Sequence, residues 1–127
     1  MGILLDTHAF IWYIEGNERL SLAARSEIIN AQNDKFISIA SLWEIVIKIS
    51  KNKLELKQSF SEIIQSLLIN NIQILEVRTS HLAALFDLPY HHNDPFDRLI
   101  IAQAVVEKLT VISLDQHFQE YDIKLIW

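Results

Sequence analysis

Short apolar runs, each followed by a stretch of helical periodicity, constrain this chain more than any other feature of it. Gly2-Ile3-Leu4-Leu5 has no polar side chain to turn toward water, as a parallel strand covered on both faces requires. Phe36-Ile37-Ser38-Ile39, Ile72 to Val77, Thr110-Val111-Ile112-Ser113 and Lys124-Leu125-Ile126-Trp127 are the other strand-like runs. Ala9 to Ile14 is a mostly apolar helix that stops near Gly16-Asn17, and Leu20 to Asn33 is a second, with Leu20, Ala24 and Ile28 on one face. The Phe36 run passes through Ala40-Ser41 into a helix over Leu42 to Ile49. Ser59-x-x-Glu62 reads as a capping box, and Phe60, Ile63, Ile64, Leu67 and Leu68 make the stripe of an amphipathic helix. Thr79 to Leu88 is a helix with Leu82, Leu85 and Phe86 inward, and His117-Phe118 makes one helical turn. The order is therefore β-α-α-β-α-α-β-α-α-β-β. Strands alternating with helices predict an α/β fold with a parallel sheet, right-handed crossovers and helices on both faces.

One long stretch, Leu88 to Ala104, turns from a Pro-bearing loop into a helix. Asp94 is its N-cap and Pro95 its first residue, where a missing N–H costs nothing. Phe96, Ile100 and Ala104 repeat every four residues, so one face is buried. Asp97 then stands in the first turn, where the helix dipole favours negative charge. Three more acids follow strand-like runs in the same manner: Asp6, Glu44 and Asp115. Ligands of open α/β sheets gather beyond the carboxyl ends of the strands. Each acid also has a plain structural reading. Asp6 and Asp115 suit caps, Ser41-x-x-Glu44 suits a capping box, Glu44 suits an i+4 pair with Lys48, and Asp97 suits an N3 helix starter. Four at one sheet edge would repel and raise one another's pKa, a burden that a metal ion relieves. Ligands made only of oxygen indicate Mg²⁺ or Mn²⁺, and such a site suits phosphodiester hydrolysis.

Composition agrees. A chain of 127 residues, half of them hydrophobic, is expected to form a single domain over 1–127 with an ample core. The absence of cysteine excludes disulfides and thiolate metal sites and fits a reducing, cytoplasmic setting. No secretory signal or bilayer-spanning run is visible. The net charge of −5 argues against a broad basic nucleic-acid surface but allows a nearly neutral body with a focused acidic pocket.

With these residues in view, the chain resembles the PIN domain family, and within it the VapC-type toxin ribonucleases. The anchors are Leu4-Leu5-Asp6-Thr7-His8, Ser41 to Lys48, Leu88-Pro89 with His92-x-Asp94-Pro95-Phe96-Asp97-Arg98 through Ala104, and Val111 to Asp115 with Phe118. The resemblance implies a three-layer α/β/α sandwich and a Mg²⁺- or Mn²⁺-dependent endoribonuclease. It places Asp6, Glu44, Asp97 and Asp115 at the family's acidic quartet, as catalytic residues and metal ligands. It also implies a small antitoxin partner, an RNA substrate and a homodimer. A housekeeping RNA-processing nuclease or a non-catalytic interaction protein is the alternative. Where many relatives carry Thr and a basic residue before the fourth acid, this chain has Ser113-Leu114, so only Ser113 retains a donor there.

Arg98, Ser113 and Lys48 are the candidate substrate-binding residues: Arg98 to steady a phosphate, Ser113 to donate a hydrogen bond, Lys48 to meet the RNA backbone. His8, His91 and His92 lack the spacing of a histidine metal site and suit supporting roles, His92 most of all because it precedes the Asp94-Pro95 cap. Trp12, Tyr13 and Trp43 suit core or a subunit interface.

Overall fold

The computed structural model describes residues 1–127 and arranges them around five parallel strands. In chain order the elements are β1 (Gly2–Leu5), α1 (Thr7–Glu15), α2 (Leu22–Ile29), β2 (Asp34–Ser38), α3 (Ile39–Ser50), α4 (Phe60–Ile69), β3 (Ile72–Leu75), α5 (Thr79–Asp87), α6 (Pro95–Glu107), β4 (Thr110–Ile112), a 3₁₀ turn (Gln116–Glu120) and β5 (Leu125–Ile126). The strands lie in the order β3-β2-β1-β4-β5.

Central β1 shows why its sequence is apolar throughout. Ile3, Leu4 and Leu5 are all fully buried, but they alternate between two cores. Ile3 and Leu5 join Ile37 and Ile112 against Phe10, Ile28, Leu42, Ile45 and Ile63, so α1 to α4 cover one face. Leu4 and Val111 face Ile100, Ile101 and Ala104 of α6, with Phe118 and Tyr121. Helix α5 packs on α6 in that second layer, which completes an α/β/α sandwich. Each fully buried Ile, Leu or Phe contributes about 1.5–3 kcal/mol, and the two cores meet across β1.

Several of the expected boundaries move. Helix α3 begins at Ile39, because the Ser38 hydroxyl takes the Ala40 N–H at 3.0 Å and acts as the N-cap. Ser41 therefore lies inside the helix, and the Ser41–Glu44 capping box does not form. Helix α2 begins at Leu22 behind Ser21, which caps Ala24 N at 3.0 Å, while Leu20 stays buried outside the helix. The Ser59–Glu62 capping box forms as the sequence predicts.

Helices α1 and α6 both end in left-handed backbone, at Gly16 (φ 64°) and Lys108 (φ 55°). Glycine tolerates that conformation, whereas a lysine Cβ crowds the following carbonyl. Lys108→Gly should therefore stabilise the fold by about 1 kcal/mol. A urea midpoint that fails to rise would show that the exposed lysine side chain compensates.

Candidate functional site

The order of the strands reverses at β1, which lies between β2 and β4. Such a reversal opens a crevice beyond the carboxyl ends of the two strands. Asp6 follows β1 directly, and its N–H donates to Ile112 O of β4 at 3.1 Å. Its carboxylate Oδ1 accepts the Ala9 N–H at 2.8 Å and caps α1, with the residue only 5% exposed. Asp115 lies past the end of β4 and caps the 3₁₀ turn through the His117 N–H at 2.9 Å. Capping and site formation are thus not rival roles here. A cap engages one carboxylate oxygen and leaves the other to the crevice.

Glu44 lies in the second turn of α3 and is also 5% exposed. The Thr7 hydroxyl donates to its Oε1 at 2.7 Å, and Lys48 Nζ meets its Oε2 at 2.8 Å. Thr7 Oγ1 is also 3.0 Å from Ser41 Oγ, so the first turns of α1 and α3 are joined through buried hydroxyls. Asp97 occupies the first turn of α6, behind the Asp94 cap, whose Oδ1 accepts both the Phe96 and Asp97 N–H groups. Trp43 of α3 meets Phe96 of α6 edge-on at 5.2 Å between ring centres.

The four acids share one electrostatic field. The Asp97 carboxyl is pushed up to about 8, first by burial and then by the charges of Asp94, Asp115, Asp6 and Glu44. The Asp6 carboxyl is raised to about 6 by burial, opposed by hydrogen bonds from the Ser113 hydroxyl and Ala9 N–H and by His8, with Asp115 raising it again. At neutral pH Asp97 therefore holds its proton while its neighbours surround it with charge. No three of the acids and histidines are drawn together as a closed ligand set. Both oxygens of Glu44 are engaged, by Thr7 and Lys48.

The three candidate substrate contacts all turn toward protein groups. Arg98 requires a correction. It is 3% exposed, and its guanidinium donates to Pro89 O at 2.7 Å, Leu88 O at 3.1 Å and Tyr121 Oη at 3.2 Å. The same group stacks over the Tyr90 ring at 3.7 Å. It clamps the loop before α6 and has no face left for phosphate. Ser113 is buried, accepts the Asp115 backbone N–H at 3.1 Å and bonds the Asp6 carboxylate. Lys48 is half-exposed and neutralises Glu44.

The sequence does not single out Thr7 as a site residue, and it gives His92 a supporting role without naming its partner. Thr7 orients Glu44, and only its position directly after Asp6 hinted at it. His92 lies beside Asp97, with Nε2 3.5 Å from Oδ2, and its pKa is held below the usual imidazole value, chiefly by burial and then by His117. Asp6, His8, Trp12, Leu114 and Asp115 line a shallow depression. The His8 ring faces Trp12 at 5.8 Å, and Trp12 meets Trp127 edge-on at 5.8 Å.

A family model for the PIN domain matches residues 3–124. The chain belongs to the PIN domain family. Comparison with curated proteins gives no match. Among solved structures, this PIN domain is similar to VapBC2 from Rickettsia felis bound to a DNA fragment from its promoter. That match has a TM-score of 0.75 at 17% identity, over 99% of this chain and 98% of the other. It is similar also to FitAcB from Neisseria gonorrhoeae, with a TM-score of 0.68 at 22% identity over 98% and 96% of the two chains. A toxin-antitoxin complex from Klebsiella pneumoniae follows, with a TM-score of 0.64 at 16% identity over 98% and 96%. At these identities the likeness establishes the shared fold.

Proposed function

We infer that this PIN domain is a Mg²⁺- or Mn²⁺-dependent endoribonuclease and the toxin of a toxin–antitoxin pair. The observation that carries the reading is the Asp97 carboxyl, pushed up to about 8 by burial and by the carboxylates of Asp94, Asp115, Asp6 and Glu44. A fold that buries a carboxyl among other acids until it keeps its proton at neutral pH supports a divalent cation as the missing countercharge. The donor set fits the ion, because every candidate ligand is a carboxylate oxygen.

Asp6, Glu44 and Asp97 would hold the ion, and Asp115 would complete the site. Once bound, the ion lowers the pKa of water and stabilises charge on the attacked and leaving phosphodiester oxygens. The chain's own residues prepare the site. Ser113 and the Ala9 N–H orient Asp6, and Thr7 and Lys48 orient Glu44. Asp97 must release its proton when an ion binds, so ion affinity should rise with pH up to about 8 and level off above it. By analogy with the family the products carry 5′-phosphate and 3′-hydroxyl ends.

A small antitoxin protein and a second copy of the chain are the proposed protein partners. The toxin-antitoxin complex among the similar structures supports the first. Exposed apolar side chains on α3, Trp43 at 61% and Val46 at 43%, give such a partner a surface to cover. No helix is long and apolar enough to cross a membrane, and the proposed setting is the cytoplasm.

Wild-type protein incubated with structured RNA and Mn²⁺ is expected to yield fragments that disappear with chelator and with Asp6→Asn. Induced expression of wild type should arrest bacterial growth, and Asp6→Asn should not. Equal fragmentation by both proteins, or fragmentation that survives chelation, would remove the acidic site from the explanation.

A further inference from the structure

We propose that His92 is a positioning residue for Asp97, its imidazole locked by a relay from Arg98 through Tyr121 so that Nε2 carries the proton and faces Asp97 Oδ2. The proposal rests on the reading of Asp97 as a member of the ion site.

Tyr121 Oη is the branching atom of the relay. Arg98 Nη1 donates to it at 3.2 Å and the His92 backbone N–H at 3.3 Å, while His92 Nδ1 lies 2.8 Å away. A guanidinium and a backbone amide are donors only, so together they occupy the two lone pairs of the phenol oxygen. The phenol proton is then left with one acceptor among these contacts, His92 Nδ1. A ring nitrogen that accepts carries no proton of its own, so a neutral His92 carries its proton on Nε2. The other tautomer would aim three N–H groups at one oxygen and strand the phenol proton.

Nε2 is buried and has no hydrogen-bond partner of good geometry; Asp97 Oδ2, at 3.5 Å, is the polar atom it faces. The His92 side chain is only 8% exposed, so an unmet N–H there would be costly. The ring is also held in place. It stacks on His117 at 5.0 Å with 12° between planes, and Tyr121 meets it edge-on at 5.5 Å. Arg98, the far end of the relay, is anchored on Leu88 O and Pro89 O. The loop ahead of α6 is thereby made to orient the acid in the helix's first turn. Holding one oxygen of Asp97 leaves the other for the ion, in the way that imidazole–carboxylate contacts around metal sites orient their ligands. Arg98 acts on the site through this relay rather than by touching substrate.

Imidazole ¹⁵N spectra of the full chain, free of divalent ions at neutral pH, test the relay directly. For His92 the expected result is a protonated Nε2 and a bare Nδ1. In Tyr121→Phe, which keeps the ring but has no proton to give, both tautomers should appear. A native His92 protonated on Nδ1, or a Tyr121→Phe spectrum identical to the native one, would overturn the proposal. Titration with Mn²⁺ in a calorimeter then reads the positioning role. His92→Leu is expected to weaken Mn²⁺ binding about ten- to a hundredfold. His92→Gln, which offers an amide N–H at similar reach, should recover most of that loss. Equal Mn²⁺ affinity for native and His92→Leu proteins would remove the positioning role. A native chain that binds no Mn²⁺ would instead refute the ion-site reading, and the ¹⁵N spectra would then decide the relay alone.

Discussion

Asp97→Asn is expected to make the ion-free protein more stable at pH 8 while it strongly reduces RNA cleavage. The folded Asp97 carboxyl titrates near 8, against an ordinary value of 3.8. The folded state therefore holds this proton more tightly than the unfolded chain does. The stability tied to that proton is fully present below about pH 4 and drains away as pH rises through 8. A shift of this size corresponds to about 6 kcal/mol at most, and relaxation and water access reduce it to roughly 2–4 kcal/mol. The amide of Asn never ionises, so the variant is spared that loss. Its melting temperature should exceed the wild-type value by about 5–15 °C at pH 8 and match it near pH 4. Activity should fall about a thousandfold, at the upper end of what one preorganised electrostatic group supplies. Mn²⁺ at a thousand times its dissociation constant should reverse the stability order, because it stabilises wild type by about 4.1 kcal/mol and the variant far less. Thermal melts at three pH values, with and without Mn²⁺, read all of this. Superimposable wild-type and variant melts at pH 8 would mean that Asp97 ionises freely and the acids do not crowd it.

Arg98→Ala should unfold the protein more readily by about 3–5 kcal/mol, and Arg98→Lys should recover only a minor part. The guanidinium makes three charge-assisted hydrogen bonds at 2.7, 3.1 and 3.2 Å and stacks on Tyr90. A hydrogen bond to a charged group contributes about 1.5–3 kcal/mol, and the three share one side chain, so their sum is an overstatement. One acceptor, Leu88 O, belongs to the C-cap of α5, where a cation also complements the helix dipole. Lysine keeps the charge but has no planar fork to span two carbonyls and a phenol. Urea unfolding of the three proteins gives the difference. A residue that contacted RNA phosphate instead would leave the urea midpoint unchanged and raise KM, and that pattern would refute the clamp.

Much of the architecture was legible because a parallel sheet leaves a plain mark. Gly2-Ile3-Leu4-Leu5 is apolar at every position since β1 has a core on each face. The caps were legible for a similar reason. Ser59, Asp94 and Asp115 each meet an unsatisfied N–H within three residues of themselves, so local sequence contains the whole interaction. Ser41 misled because two serines stand near the start of α3, and the strand's length decided which one caps it.

Asp97 and Arg98 show where local sequence stops being enough. Successive helical residues point about 100° apart, so these two neighbours cannot both face the crevice. Both are ionisable, and nothing in the chain nearby says which one turns inward. The choice is made by Leu88 O, Pro89 O and Tyr121, which take Arg98 into the protein and leave Asp97 to the other acids. Thr7 meeting Glu44, and His92 meeting Tyr121, are likewise contacts across 37 and 29 residues. Sequence alone determined the layers, the strand ends and the acids stationed there, because those follow from periodicity and capping within a few residues. Only the tertiary structure decided which polar side chains orient those acids, because hydrogen bonds between distant segments depend on how the helices pack.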